Sequence, residues 1–172
     1  MKNLILITLL VFSVVFVNAQ DQKKTKKEKK AEREAQAIEQ TKKLIEAQSW
    51  QFDARQMIPA KGQSRSLTTS YNVVLKDNKV DSYLPYFGTA YSAPYGGTES
   101  PMIFKSDAEN YSITDGKKGN KIVKFNAKNK NDNVIYTFTI STNGSTSLSV
   151  SSTNRQTISY YGTLVPVEEK EE

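Results

Sequence analysis

Val134, Tyr136, Phe138 and Ile140 alternate with polar neighbours, Asn143-Gly144 follows, and Thr146, Leu148 and Val150 resume the alternation. Apolar side chains at every second position share one face of a pleated strand. Asn-Gly between two such runs is a strong local hairpin signal. The same period recurs from Trp50 to Val165, and no long helical pattern interrupts it. Consecutive strands joined by turns too short for a crossover can only pair antiparallel.

The individual strands read as follows. Trp50, Phe52 and Ala54 mark a first strand that Ile58-Pro59 breaks. Leu67, Thr69, Tyr71, Val73 and Leu75 line one face of a long second strand. Lys76-Asp77-Asn78-Lys79 is a tight turn, and Val80–Leu84 completes a hairpin. Met102–Ser106 and Asn110–Thr114 flank an expected turn at Asp107–Glu109. Ile122–Ala127, a polar loop at Lys128–Asn133, the 134–150 hairpin and Gln156–Val165 complete the set. The expected fold is mainly β, a single antiparallel meander sheet of about eight strands. Its apolar face closes as a small barrel, doubles into a sandwich, or packs under an N-terminal charged helix.

That helix is expected in a leader at residues 20–48. The segment has no Pro or Gly and is rich in Lys, Glu, Ala and Gln, which favour helix. Ala31, Ala35, Ile38 and Ile45 form one thin apolar stripe, so Ala31–Gln48 reads as a helix that needs a docking surface. Asp21–Lys30 reads as disordered. Ahead of it, residues 1–19 read as a signal peptide: Lys2, an apolar run from Leu4 to Val17, and Val17-Asn18-Ala19 before the cut. The apolar run is shorter than the ~20 residues of a spanning helix, so no stable membrane span is expected after cleavage. The β domain is expected at 49–167 and an acidic tail at 168–172.

Composition excludes several chemistries. The chain has no Cys and no His. Disulfides, a lipoprotein anchor on cysteine, thiolate or imidazole metal sites, and Ser-His or Cys-His nucleophile systems are all impossible. The expected protein is exported to the periplasm or cell surface, is not a lipoprotein, and carries no cofactor. The net charge of +6 suits anionic polymers, but export argues against nucleic acid. An envelope protein or polysaccharide is the expected partner class.

Residues 83–97, YLPYFGTAYSAPYGG, stand apart: four Tyr, one Phe, two Pro and three Gly in fifteen positions. Pro removes backbone freedom, and aromatics add large contact area. An ordered loop follows, with two roles open to it. Tyr83, Tyr86, Phe87, Tyr91 and Tyr95 form an exposed ligand platform, or the loop plugs an open end of the sheet. A second candidate surface is a basic patch of Lys117, Lys118, Lys121 and Lys124, with Lys128 and Lys130 nearby. The plain alternative is a sheet edge kept soluble by lysine.

Catalytic and metal readings are thinner. A carboxylate-dependent carbohydrate-active hydrolase needs two converging acids. Asp107 and Glu109 share an expected turn but read as turn-capping residues. Asn129-Lys130-Asn131-Asp132-Asn133 has alternating oxygen ligands but lacks the Gly and distal Glu of a calcium loop, so no metal site is expected. Gly116-Lys117-Lys118-Gly119 precedes no helix and reads as a hairpin tip rather than a phosphate cradle. The expected function is a non-enzymatic binding or structural module. The alternatives are the hydrolase, or an accessory or inhibitor protein that presents the Tyr-rich loop.

The run Tyr83-Leu84-Pro85-Tyr86-Phe87-Gly88, then Ala90-Tyr91, Pro94-Tyr95 and Gln156-Thr157-Ile158-Ser159-Tyr160-Tyr161-Gly162, resembles a family of exported bacterial proteins typical of Bacteroidetes, known as a domain of unknown function. The likeness covers about Phe52–Leu164. The resemblance implies domain limits, compartment and lineage, and implies no activity, substrate or catalytic residue.

Overall fold

In the computed structural model, residues 25–91 and 100–167 are described. The expected signal peptide, the acidic tail and Tyr95 lie outside them. The chain divides into two units, residues 1–33 and 34–172.

Of the first unit, residues 25–33 form the start of helix α1 (Lys26–Ala47). The helix begins inside the stretch expected to be disordered, and the reason is local. Thr25-Lys26-Lys27-Glu28 is a capping box. The Glu28 carboxylate accepts the Thr25 N–H at 2.8 Å, and the Thr25 hydroxyl oxygen accepts the Glu28 N–H at 3.2 Å. Two donors that a helix start leaves unpaired are thereby satisfied.

In the second unit, residues 34–47 complete α1, and nine antiparallel strands follow. They are β1 (Trp50–Pro59), β2 (Arg65–Lys76), β3 (Lys79–Tyr83), β4 (Ile103–Asp107), β5 (Glu109–Asp115), β6 (Lys121–Asn129), β7 (Asp132–Ile140), β8 (Ser145–Ser152) and β9 (Ile158–Val165). They form one sheet in the order β4-β3-β2-β1-β9-β8-β7-β6-β5. Chain neighbours pair throughout except at two places. β1 pairs with β9, which joins the two halves of the sheet. β4 and β5, consecutive in the chain, lie at its opposite edges.

The expected turn at Asp107–Glu109 is therefore absent. Only Ala108 separates β4 from β5, and it is buried. The chain runs on through it, leaves β3 and takes up β6. Two bonds draw the edges together across this corner: Lys128 N–H to the Ser106 hydroxyl at 3.1 Å, and the Asn129 side-chain amide to the Pro101 carbonyl at 2.8 Å. The result is a nearly closed barrel, which answers the edge-strand problem without a second sheet.

Side chains fill the interior. Val123, Phe125 and Ala127 of β6, Val134, Tyr136, Phe138 and Ile140 of β7, and Leu148 and Val150 of β8 are buried in register. Trp50 meets Phe138 edge-on at 4.8 Å, and Phe125 stacks on Tyr136 at 5.1 Å. Offset and edge-on geometries suit the quadrupoles of these rings. Thr41 and Ile45 of α1 are buried and Leu44 packs on the core, so the late helix docks in this unit.

Turn chemistry follows the sequence. Asp77 and Asn78 both take positive φ, +52° and +59°, in the two-residue turn between β2 and β3. Between β7 and β8, the Gly144 N–H bonds the Ser141 carbonyl at 3.0 Å and Gly144 sits at φ +83°. This is a three-residue hairpin loop whose last position needs a left-handed residue. The polar loop expected at Lys128–Asn133 shrinks to Lys130-Asn131, because β6 and β7 pair as far as Asn129 and Asp132. Likewise β1 continues to Pro59, which pairs with Ile158.

Candidate functional site

The aromatic loop leaves β3 at one end of the barrel, and its first residues are pinned to it. Leu84 is fully buried, and its N–H bonds the Met102 carbonyl at 3.2 Å. The Ser100 hydroxyl donates to the Leu84 carbonyl at 2.6 Å, and the Tyr160 hydroxyl to that of Pro85 at 2.7 Å. The Tyr86 hydroxyl lies 3.0 Å from the Gln156 carbonyl and 3.1 Å from that of Thr89. Two backbone bonds, Tyr91 N–H to Asn154 and Gln156 N–H to Thr89, tie the loop to the segment before β9. Burial raises the phenol pKa of Tyr86, and the nearby Arg155 charge opposes this. A neutral hydroxyl suits its role as a donor.

The four described aromatics of the candidate platform thus separate. Tyr86 is half-buried and bonded. Tyr83, Phe87 and Tyr91 stand out, at 41%, 49% and 70% exposure. Tyr83 stacks on Tyr71 at 5.4 Å, and the Arg65 guanidinium sits 4.6 Å over the Phe87 ring. The Leu84–Tyr86 stretch is the pinned, more buried part of this segment, and Tyr83, Phe87 and Tyr91 beside it form an exposed rim.

Beside this rim, Ser152 donates to the Asp132 carboxylate at 2.6 Å, and Arg155 Nε lies 3.8 Å from it. Asp132, the acid of the calcium-like stretch, is thereby engaged within the fold. Among the described residues no cluster of three acidic side chains forms a metal site.

The lysines occupy the other candidate surface. Lys117 and Lys118 stand exposed in the 3-10 turn Lys117–Gly119, Lys124 projects outward from β6, and Lys121 forms an ion pair with Asp115. Lys128 pairs with Glu109 at 2.8 Å. Exposed pairs of this kind contribute little stability.

A further feature was not legible residue by residue. A groove of about 1040 Å³ runs over the outer side of β1–β4. β1 bulges at Arg55, where the register steps from Ala54 to Gln56. Across the same step β2 advances from Tyr71 to Ser66, so Leu67–Ser70 arch out of the ladder and wall the groove. Gly162 makes the bulge possible: a Cβ there would overlap the Asp53 carbonyl oxygen. Only a glycine tolerates so close a backbone approach. The floor carries Gln51, Asp53, Asn72 and Asp81. The Gln51 amide donates to Asp53 at 2.7 Å, and Lys105 pairs with Asp81 at 2.8 Å. The single hint in the sequence is the hydroxyl-rich run Ser66-Leu67-Thr68-Thr69-Ser70, which departs from strict alternation.

Comparison with known proteins bears on the fold. Residues 32–164 match the model of a family described as "Domain of unknown function (DUF4251)". The match begins within α1, twenty residues before the limit expected from the resemblance. A crystal structure of a DUF4251 family protein from Bacteroides eggerthii superposes with a TM-score of 0.58 at 16% identity, over 77% of this chain and 89% of that one. No curated protein matches the chain. Among the described residues no helix is long and apolar enough to cross a membrane.

Proposed function

We propose that this chain, which belongs to the DUF4251 family, is an exported, non-enzymatic binding module of the cell envelope that meets its partner through the aromatic rim. One observation carries the reading. Three large aromatics, Tyr83 at the end of β3 and Phe87 and Tyr91 after it, stay exposed beside a stretch, Leu84–Tyr86, that hydrogen bonds pin to the barrel. Pre-ordered aromatic area binds without the entropy cost of ordering a loop at contact. The signal-peptide pattern at residues 1–19 supports export, and the lack of His and Cys supports a role without imidazole or thiol chemistry.

The alternative of a carboxylate-dependent hydrolase draws on Asp53 and Asp81, which share the outer groove. Each is already engaged, by Gln51 and by Lys105, and they stand on strands separated by β2, about 10 Å or more apart at the backbone. That arrangement favours binding over acid–base work.

The test compares native protein with a Phe87→Ala, Tyr91→Ala double variant, each used to recover partners from the envelope. Tyr86 is left alone because its hydroxyl braces the loop. A polysaccharide or protein retained by the native chain and lost by the variant, with melting unchanged, supports the rim. Equal retention by both removes it.

A further inference from the structure

We infer that the outer groove of β1–β4 is a carbohydrate-binding site, taking several units of a neutral oligosaccharide chain. The inference rests on the binding-module reading and gives it a ligand class.

The groove is a built deformation. A regular β1–β2 pair would keep its ladder bonds and present a flat face. Here one strand bulges, the other arches by three residues more than its partner, and a glycine at 162 admits the displaced backbone. Bulges concentrate where a sheet re-aims side chains at a site.

The lining has the chemistry of polyhydroxyl recognition. Asp53 and Asn72 are cross-strand partners, so their Cβ atoms stand about 5 Å apart and both planar polar groups rise from one face. Gln51 and the hydroxyls of Thr68, Thr69 and Ser70 add donors and acceptors on the floor and wall. Such groups match the mixed donor–acceptor character of sugar hydroxyls. At the margin Tyr71 lines the groove and stacks on Tyr83, offering the apolar faces that sugar rings require. Cations and carboxylates are mixed: Arg55, Lys76 and Lys105 stand among Asp53 and Asp81, with Lys105 and Asp81 paired. No single sign dominates, which disfavours a phosphate polymer or polyacid. The volume of about 1040 Å³ lies at the upper end of the range of small-ligand pockets, room for several sugar units rather than one.

The groove also adjoins the rim. Tyr71 touches Tyr83, and Arg65, two residues before the arch, covers Phe87. Tyr71 and Tyr83 thus link the groove to the exposed aromatics.

The experiment titrates the ¹⁵N-labelled protein with cellohexaose, maltohexaose, chitohexaose and, as an anionic control, hexagalacturonate, each to about 10 mM, which reaches weak affinities. The inference expects a neutral hexasaccharide to shift resonances of residues 51–55 and 67–72. Asn72→Ala and Thr68→Ala, both at solvent-facing positions, are each expected to weaken it about tenfold. No groove shift with any neutral probe overturns the inference, as does binding that both variants leave intact. Preference for hexagalacturonate with steep loss in salt overturns the neutral-ligand assignment. Shifts confined to Tyr83, Phe87 and Tyr91 overturn the groove and leave the rim reading standing. Groove binding with envelope retention indifferent to the rim variant does the reverse. Shortening of a bound probe supports the site and overturns the non-enzymatic reading.

Discussion

The sheet is regular where β6, β7 and β8 pair and deformed where β1 meets β2 and β9. From Lys121 to Asn129, β6 matches β7 residue for residue, and Val123, Phe125 and Ala127 face inward with Val134, Tyr136 and Phe138. On the other side, β1 loses phase at Arg55 and β2 arches over four residues. The regular half holds the stacked rings of Phe125, Tyr136 and Phe138. The deformed half gives up ladder bonds and gains a polar groove. Both halves bury large apolar side chains, Trp50, Phe52 and Met57 of β1 as fully as Phe125 and Phe138, so the contrast teaches that the outer face can depart from the pleat while the interior stays packed.

The largest effect should come from the regular half. Phe138→Ala is expected to cost about 3–5 kcal/mol in urea unfolding, a large share of a typical domain's total. Chains that remain folded should bind a groove probe normally. A cost below about 1 kcal/mol would mean that the interior repacks.

Gly162→Ala joins the two regions. Its Cβ meets backbone rather than a yielding side chain, so a loss of up to about 3 kcal/mol is expected. Unlike Phe138→Ala, it should also displace the Asp53–Arg55 bulge and weaken any groove ligand. Stability loss with intact groove shifts would separate the bulge from the site.

Alkaline pH should also act on the interior. Burial pushes the phenols of Tyr136 and Tyr160 far above the ordinary value of 10.0. A raised folded-state pKa contributes stability that is complete below pH 10 and is lost as pH rises beyond it. The slope is up to about 1.4 kcal/mol per pH unit for each tyrosine. Tyr136→Phe removes a bond to Ser82, at about 1 kcal/mol near neutral pH. It should reduce the alkaline slope by up to about 1.4 kcal/mol per pH unit, as melts between pH 9 and 12 would show.

The smallest stability effect is expected in the deformed half. Asn72→Ala should change unfolding by no more than about 0.5 kcal/mol while weakening a groove-bound hexasaccharide. A larger stability cost would make Asn72 a structural residue and blunt the contrast between the halves.

Much of the regular half was legible in sequence. The alternation of Val134 to Ile140 and the Asn143-Gly144 turn depend on near neighbours, and the pleat places each side chain by its own period. The turn at Asp77-Asn78 was legible for the same reason. The helix start at Lys26 was encoded just as locally, in Thr25 and Glu28, but a charged run with a thin apolar stripe masked it. The loop aromatics could be picked out by composition. Which of them braced the loop and which faced outward could not, because that depends on the Gln156 and Thr89 carbonyls and on Tyr160.

By itself, then, the sequence determined the strand class, the pairing direction and the local turns, since these follow from side-chain period and from backbone preferences at Asn, Asp and Gly. Only the tertiary structure decided that Ala108 is a corner rather than a turn. Closing the barrel brings β6 round to the β4 side of the sheet, and the chain continues extended into β5 to pair with it. Only the tertiary structure decided the groove as well. It arises from a register step between β1 and β2 and from a glycine more than a hundred residues along the chain, set against the bulge on the neighbouring strand β9. Register between distant strands is set by how the whole interior packs, and no local pattern carries it.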